Sequence, residues 1–156
     1  MKGITMEPRV IYFTGLDRCG KTSTRKRFAE LSGERFITFD RSYIDNLVYD
    51  EVLRKKVFDK SFLDRYFKRF SQLPGQCIVF LDVDPKTTYK RAIATEGIEY
   101  DLNLLETTRK SFLKYLKIAS RARIETIIIK PMSKTIDKIA SEVLKSLEKG
   151  VSKLKK

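Results

Sequence analysis

The chain contains no histidine and only two cysteines, Cys19 and Cys77. Without imidazole there is no histidine acid–base chemistry and the commonest zinc ligand is missing. Two cysteines make neither a disulfide framework nor a metal cluster. Long apolar runs are lacking too: nothing approaches the roughly 20 residues of a membrane span, and Met1 to Arg9 has no apolar core of the kind a signal peptide carries. The expectation is a cytoplasmic protein with no membrane partner. Carboxylates are scarce beside cations, 20 Asp and Glu against 33 Lys and Arg, for a formal charge of +13.

That imbalance is uneven along the chain. Residues 1–101 hold 19 basic and 15 acidic residues, whereas residues 102–156 hold 14 and 5. A basic C-terminal third fits a nucleic-acid surface, or a lysine-rich solvated face of the kind common in proteins of hot organisms. Aromatic residues that would stack on bases are thin there, which favours the solvated face. The 156 residues suffice for a single domain whose core needs neither metal nor disulfide.

The chemistry concentrates in Gly15-Leu16-Asp17-Arg18-Cys19-Gly20-Lys21-Thr22, which matches the phosphate-loop pattern G-x-x-x-x-G-K-[ST]. Its flanks supply the context the pattern requires. Val10 to Thr14 is an apolar, β-branched and aromatic run of strand length, and Thr22 to Ser32 reads as a helix, with Phe28, Ala29 and Leu31 turned inward, stopped by Gly33. Glycines in such a loop let backbone N–H groups curl around an anion at a helix N-terminus, where the helix dipole adds to the field. Gly15, Arg18, Cys19, Gly20, Lys21, Thr22 and Ser23 are therefore the candidate ATP-binding residues, with Lys21 reaching the β- and γ-phosphates and the Thr22 hydroxyl ligating Mg²⁺.

Further along, Phe36 to Phe39 reads as a strand ending in Asp40-Arg41-Ser42. Ligands of open α/β sheets bind at the carboxyl ends of strands. Asp40 suits a second hold on Mg²⁺ beside Thr22, and Arg41 a bidentate clamp on a phosphate; the competing use of Asp40 is to cap the next helix. Helices are expected over Tyr43 to Lys56 and Ser61 to Gln72, the second carrying Phe62, Tyr66, Phe67 and Phe70 at helical spacing. Such a stripe is core or, less commonly, a wall for a base. Cys77 to Leu81 has the continuous apolar character of a buried central strand, and Pro85 sits where a helix begins. Residues 95–101 form a polar, lid-like break before a helix from Leu102 to about Ala119. Ile124 to Ile129 is the last strand. A final helix, with Ser133 as its N-cap, has Ile136, Ile139, Ala140, Val143, Leu144 and Leu147 on one stripe, and Gly150 ends it before a basic tail, 151–156. Four strands alternating with helices predict an α/β fold, a three-layer sandwich with a small, mainly parallel sheet flanked by helices.

Taken together these motifs resemble the thymidylate kinase family of P-loop nucleoside monophosphate kinases. The loop with Asp17-Arg18 is similar to that family's G-x-D-R-x-G-K-[ST] form. Asp40-Arg41-Ser42-Tyr43, with Tyr49 downstream, is similar to its D-R-Y segment, Leu81-Asp82-Val83-Asp84-Pro85 to its L-D-V-x-P strand exit, and Arg109 with Tyr115-Leu116 to the helix after its lid. The resemblance implies that Asp17 meets the sugar hydroxyl of an acceptor nucleotide and Arg41 its phosphate. Arg18, Lys21, Asp17 and Arg41 become the candidate catalytic residues, with ATP and Mg²⁺ required and dTMP as the acceptor. Family members with an arginine in the loop tend to lack one in the lid, and residues 95–101 hold no cation. A metaphosphate-like transition state needs positive charge on the transferring group from one side or the other.

The family's strand and two helices before the D-R segment are missing here, Phe36 following Gly33 almost at once. That leaves the acceptor open. A polynucleotide 5′-hydroxyl or a deoxynucleoside is the alternative, and a nucleotide-binding switch without phosphotransfer is a third reading. Family members are often dimers, so a homodimer is an open expectation.

Overall fold

The protein is described by a computed structural model covering residues 9–33, 35–97 and 101–154. Ten elements alternate along the chain: β1 (Arg9–Gly15), α1 (Lys21–Ser32), β2 (Phe36–Asp40), α2 (Tyr43–Arg54), α3 (Lys60–Ser71), β3 (Gln76–Leu81), α4 (Pro85–Glu96), α5 (Leu102–Arg121), β4 (Glu125–Ile129) and α6 (Ile136–Leu154). The four strands form one parallel sheet in the order β2-β1-β3-β4. All four carboxyl ends therefore share one edge.

Alternation along the central strands explains the layers, because successive strand side chains point to opposite faces. Ile78 and Phe80 of β3 pack with Leu47, Phe112, Tyr115 and Leu116 of α2 and α5. Cys77, Val79 and Leu81 join Ile11, Phe13, Phe28, Ile139 and Val143 on the face covered by α1 and α6. Every residue of β3 is buried, as the unbroken apolar run requires of a strand covered on both sides. The expected three-layer α/β sandwich is the observed fold.

Helix starts follow side-chain chemistry with one exception. Ser42 caps α2 in a capping box with Asp45, Asp59 accepts from Phe62 N at the start of α3, Asp84 caps α4 just before Pro85, and Asp101 caps α5. At α6 the cap is Thr135, whose Oγ1 accepts from Lys138 N at 3.2 Å. Ser133 lies instead in the preceding turn, closed by Lys134 N donating to the Pro131 carbonyl. α1 begins on Gly20 with no side-chain cap and no acidic residue in its first turn.

Other expectations shift in detail. α6 runs through Gly150 to Leu154, so 151–154 is helix rather than tail, and residues 155–156 lie outside the described residues. Leu31 and Ile136 point outward, 37% and 44% exposed. The inward face of α1 is Lys21, Thr24, Phe28 and Ser32, a spacing of three and four that follows once Lys21 is drawn under the loop. Of the lid-like break, 95–97 closes α4 on a left-handed Gly97 and Asp101 opens α5; residues 98–100 lie outside the described residues. No helix among the described residues is long and apolar enough to cross a membrane.

Candidate functional site

The loop between β1 and α1 is shaped by two glycines. Gly15 has φ 154°, and a Cβ there would come within 2.7 Å of Cys19 Sγ and 2.9 Å of the Leu81 carbonyl oxygen. No side chain fits without displacing backbone. Gly20, at φ 89°, turns the chain into α1 through the left-handed region that glycine enters without cost. The first N–H groups of α1 are consequently left facing the loop with no side chain to satisfy them.

Around that opening Asp17, Arg18, Cys19, Gly20, Lys21, Thr22, Ser23, Asp40 and Arg41 line one cleft of about 520 Å³. Every site residue expected from the sequence lies here except Gly15, which lies behind the loop. Lys21 is largely buried, its Nζ 3.3 Å from the Gly15 carbonyl oxygen and 3.9 Å from Asp17 Oδ1. Thr22 Oγ1 donates to Asp40 Oδ2 at 3.2 Å, while Arg25 Nε holds Asp40 Oδ1 at 2.9 Å. Asp40 therefore faces the loop and does not cap α2. Thr22 and Asp40 offer two adjacent hard oxygens, a donor set that suits Mg²⁺ completed by water and phosphate oxygens. No group of three or more His, Cys, Asp or Glu among the described residues converges as a self-sufficient metal site.

Arg41 follows Asp40 at φ 79°, its N–H donating to the Phe13 carbonyl at 2.7 Å. This pins the backbone across the sheet edge and leaves the guanidinium at the cleft. Arg18 also has a positive φ, 65°. Its guanidinium ion-pairs with Glu96 at the end of α4, and Arg91 Nη1 donates to the Arg18 carbonyl at 2.9 Å. Cys19 is buried, and that burial pushes its thiol pKa up, so it acts as a small apolar residue here rather than a thiolate.

Three residues at or beside this cleft were missed in the sequence reading. Asp45 is buried and accepts three bonds on Oδ1, from Thr14 Oγ1 at 2.7 Å, Ser42 N at 2.8 Å and Ser42 Oγ at 3.1 Å. Burial raises its pKa against those bonds and the nearby Lys21 charge. The signal was present as Ser42-x-x-Asp45, the spacing of a capping box. Arg91 and Glu96 carried no local signal, since only the direction of α4 brings them to the loop. Tyr49, expected only as a motif tyrosine, is raised in pKa by burial and then by the Asp17 and Asp45 charges, and its ring stands edge-on to Phe112 at 6.2 Å.

A second cleft, about 770 Å³, is lined by Asp82, Asp84, Arg91, Arg109 and the turn Lys130 to Ser133. Arg91 belongs to it and also touches the loop, so the two clefts adjoin. Arg109 is committed to a bidentate pair with Asp82, at 2.7 and 2.9 Å, which ties α5 to the end of β3. The aromatic stripe of α3 is elsewhere. Phe67 is buried, Phe70 stacks on Tyr43 at 3.9 Å, and Tyr66 Oη donates to the Tyr43 carbonyl at 2.7 Å. The stripe shares no lining residue with the phosphate-loop cleft. It is mainly core.

Solved structures are similar to this chain in fold. The YorR protein of Bacillus subtilis, in complex with phosphorylated GDP, is similar over 89% of this chain and 95% of its own, at 18% identity and a TM-score of 0.67. A gluconokinase from Sinorhizobium meliloti 1021 is similar over 94% of this chain and 95% of that one, at 19% identity and a TM-score of 0.52. No protein-family model and no curated protein matches the sequence. At such identities what is shared is the fold, an α/β sandwich with a parallel sheet.

Proposed function

We propose that this protein is an ATP-dependent phosphotransferase that moves the γ-phosphoryl group of ATP to a deoxynucleoside monophosphate, dTMP being the acceptor that the sequence motifs favour. The observation that carries the reading is the open start of α1. Five helices begin on a Ser, Asp or Thr side chain; α1 begins on Gly20 with its N–H groups turned toward a cleft that also holds Lys21, Arg18 and Arg41. An anion completes that arrangement.

In this reading the loop N–H groups and Lys21 take the β- and γ-phosphates of ATP, and the adjoining cleft at Lys130 to Ser133 takes its base and ribose. Thr22 and Asp40 hold Mg²⁺, which when bound neutralises phosphate charge. Arg41 clamps the acceptor phosphate and Asp17, half exposed beside Lys21, meets the acceptor sugar. Arg18 supplies positive charge to the transferring group. Almost all of the catalysis is positioning and electrostatics, as expected for phosphoryl transfer.

A hydroxyl acceptor is the second reading. It is favoured by Asp17, a carboxylate at the cleft that could accept a proton, and by the absence of the strand that in the resembling family precedes the D-R segment, which leaves β2 as a sheet edge with Ile37 and Phe39 about half exposed. The test is ATP consumption with Mg²⁺ against deoxynucleoside monophosphates, free nucleosides and a short 5′-hydroxyl oligonucleotide. Turnover with dTMP supports the proposal. Turnover confined to nucleosides or the oligonucleotide replaces it with the hydroxyl reading, and ATP bound but never consumed makes the protein a switch.

A further inference from the structure

A pocket of about 990 Å³ plays no part in the site above. It lies where the C-terminal ends of α2 and α5 meet α3. α2 starts beside the phosphate-loop cleft and descends for twelve residues, which at 1.5 Å per residue puts Lys55 about 18 Å from its start. Its volume is at the upper end of the range, about 300–1,000 Å³, in which small-ligand pockets fall.

The lining has two parts. Phe58, Leu63 and Ile118 form an apolar floor over the buried Phe67, and the half-buried Phe58 is stacked on Phe62 at 5.1 Å and 17°. Around the floor stand six cations and two carboxylates. Glu51 is spent, ion-paired with Lys114 and accepting from Ser111 Oγ at 2.5 Å and Tyr115 Oη at 2.9 Å. Lys56 is held by Asp50 at 3.6 Å. Lys55, Lys60, Lys68 and Arg121, drawn from all three helices, make no ion pair or side-chain hydrogen bond among the described residues. Lys55 is moreover fixed at the rim by a left-handed backbone, φ 57°. The remaining carboxylate, Asp64, offsets only part of these four cations, so the lining keeps a net positive charge over one apolar floor until an anion arrives. A monoanionic amphiphile would satisfy one or two of them; a flat aromatic body with a chain of negative charges meets both parts of the lining.

We infer that this pocket is a second binding site, for a nucleoside polyphosphate, separate from the phosphate-loop cleft; the ligand count below rests on the nucleotide reading of that cleft, and the methyl shifts do not. The test counts ligands. Equilibrium dialysis of the full chain with ATP, and separately with thymidine triphosphate, is expected to give two molecules bound per chain, and one per chain in the Lys60→Glu/Arg121→Glu variant. Turnover at limiting ATP should stay within about twofold of wild type in that variant. In the unmodified protein, methyl resonances of Leu63 and Ile118 should shift on titration, so the inference is testable even where the variant folds poorly. One ligand per chain in the unmodified protein, with those methyls unmoved, overturns it. Inorganic tripolyphosphate filling the site as well as ATP would show a bare charge cluster and overturn the assignment of an aromatic ligand. An oligonucleotide bound at this site more than tenfold tighter than ATP would overturn a mononucleotide site in favour of a nucleic-acid one.

Discussion

α1 and α2 begin at the same edge of the same sheet, one after β1 and the other after β2, and their first turns are built in opposite ways. α2 is closed: Ser42 and Asp45 cap each other, and Thr14 Oγ1 adds a third bond to the same carboxylate oxygen. α1 is open: glycine at the cap, no acid in the first turn, and cations on the loop in front of it. A helix end that folding does not satisfy is one that a ligand can. Stability and binding are thus assigned to neighbouring turns, and substitutions should affect one without the other.

The largest effect is expected at the open end. Arg18→Ala should lower kcat by about 10³-fold if this guanidinium meets the transferring group, with a much smaller change in ATP affinity by titration. Equal losses in both would make Arg18 a ground-state clamp.

Closing the open end is the sharper test of the comparison. Ser23→Glu puts a carboxylate in the first turn of α1, where the dipole favours it by about 0.3–1 kcal/mol. Thermal unfolding should therefore show stability kept or slightly raised, while ATP affinity measured by calorimetry falls at least about tenfold from charge repulsion. Loss of both would mean that the first turn of α1 is structural like that of α2.

At the closed end the expectation reverses. Asp45→Ala strips three bonds and should cost about 1–3 kcal/mol in denaturant unfolding. Asp45→Asn keeps an acceptor in the Oδ1 position and should cost less. Its pH signature is distinct, because burial raises the Asp45 pKa in the folded state from its ordinary 3.8. The folded protein then binds this proton more tightly than the unfolded chain, so the contribution is complete below 3.8 and is lost as pH rises through the folded value. Asp45→Asn should remove that part of the decline in stability above pH 4; a profile parallel to wild type would refute the assignment.

The smallest effect distinguishes two neighbouring hydroxyls. Thr135→Ala should cost about 1 kcal/mol, the usual worth of an N-cap, and Ser133→Ala only a few tenths. The reverse order by thermal unfolding would restore Ser133 as the cap of α6.

Much of this was legible in the chain because its cause is local. Glycines with a lysine and threonine at fixed spacing, an unbroken apolar run at Cys77 to Leu81, and Pro85 at a helix start each act within a few residues, and each element formed where the pattern put it. What was not legible depends on direction in space. The outward turn of Leu31 follows from the loop drawing Lys21 inward, which sets the register of the whole helix. The α3 aromatics read as core or, less commonly, as a wall, and only the stacking of Tyr43 on Phe70 shows what they pack against. Arg91 and Glu96 reach the loop only because α4 runs back over it. The charges that the loop and the end of β2 carry could be read from their motifs; those that α4 brings from a distance could not.

The central claim is that the open turn of α1 holds a phosphate chain for transfer to a second nucleotide, and phosphorus NMR of the protein with ATP, Mg²⁺ and dTMP tests it most directly. The account predicts ADP and dTDP appearing at equal rates in the unmodified protein, and neither product forming with Lys21→Ala. ATP resonances that broaden on binding yet never give way to products, with dTMP or any other acceptor, would contradict it.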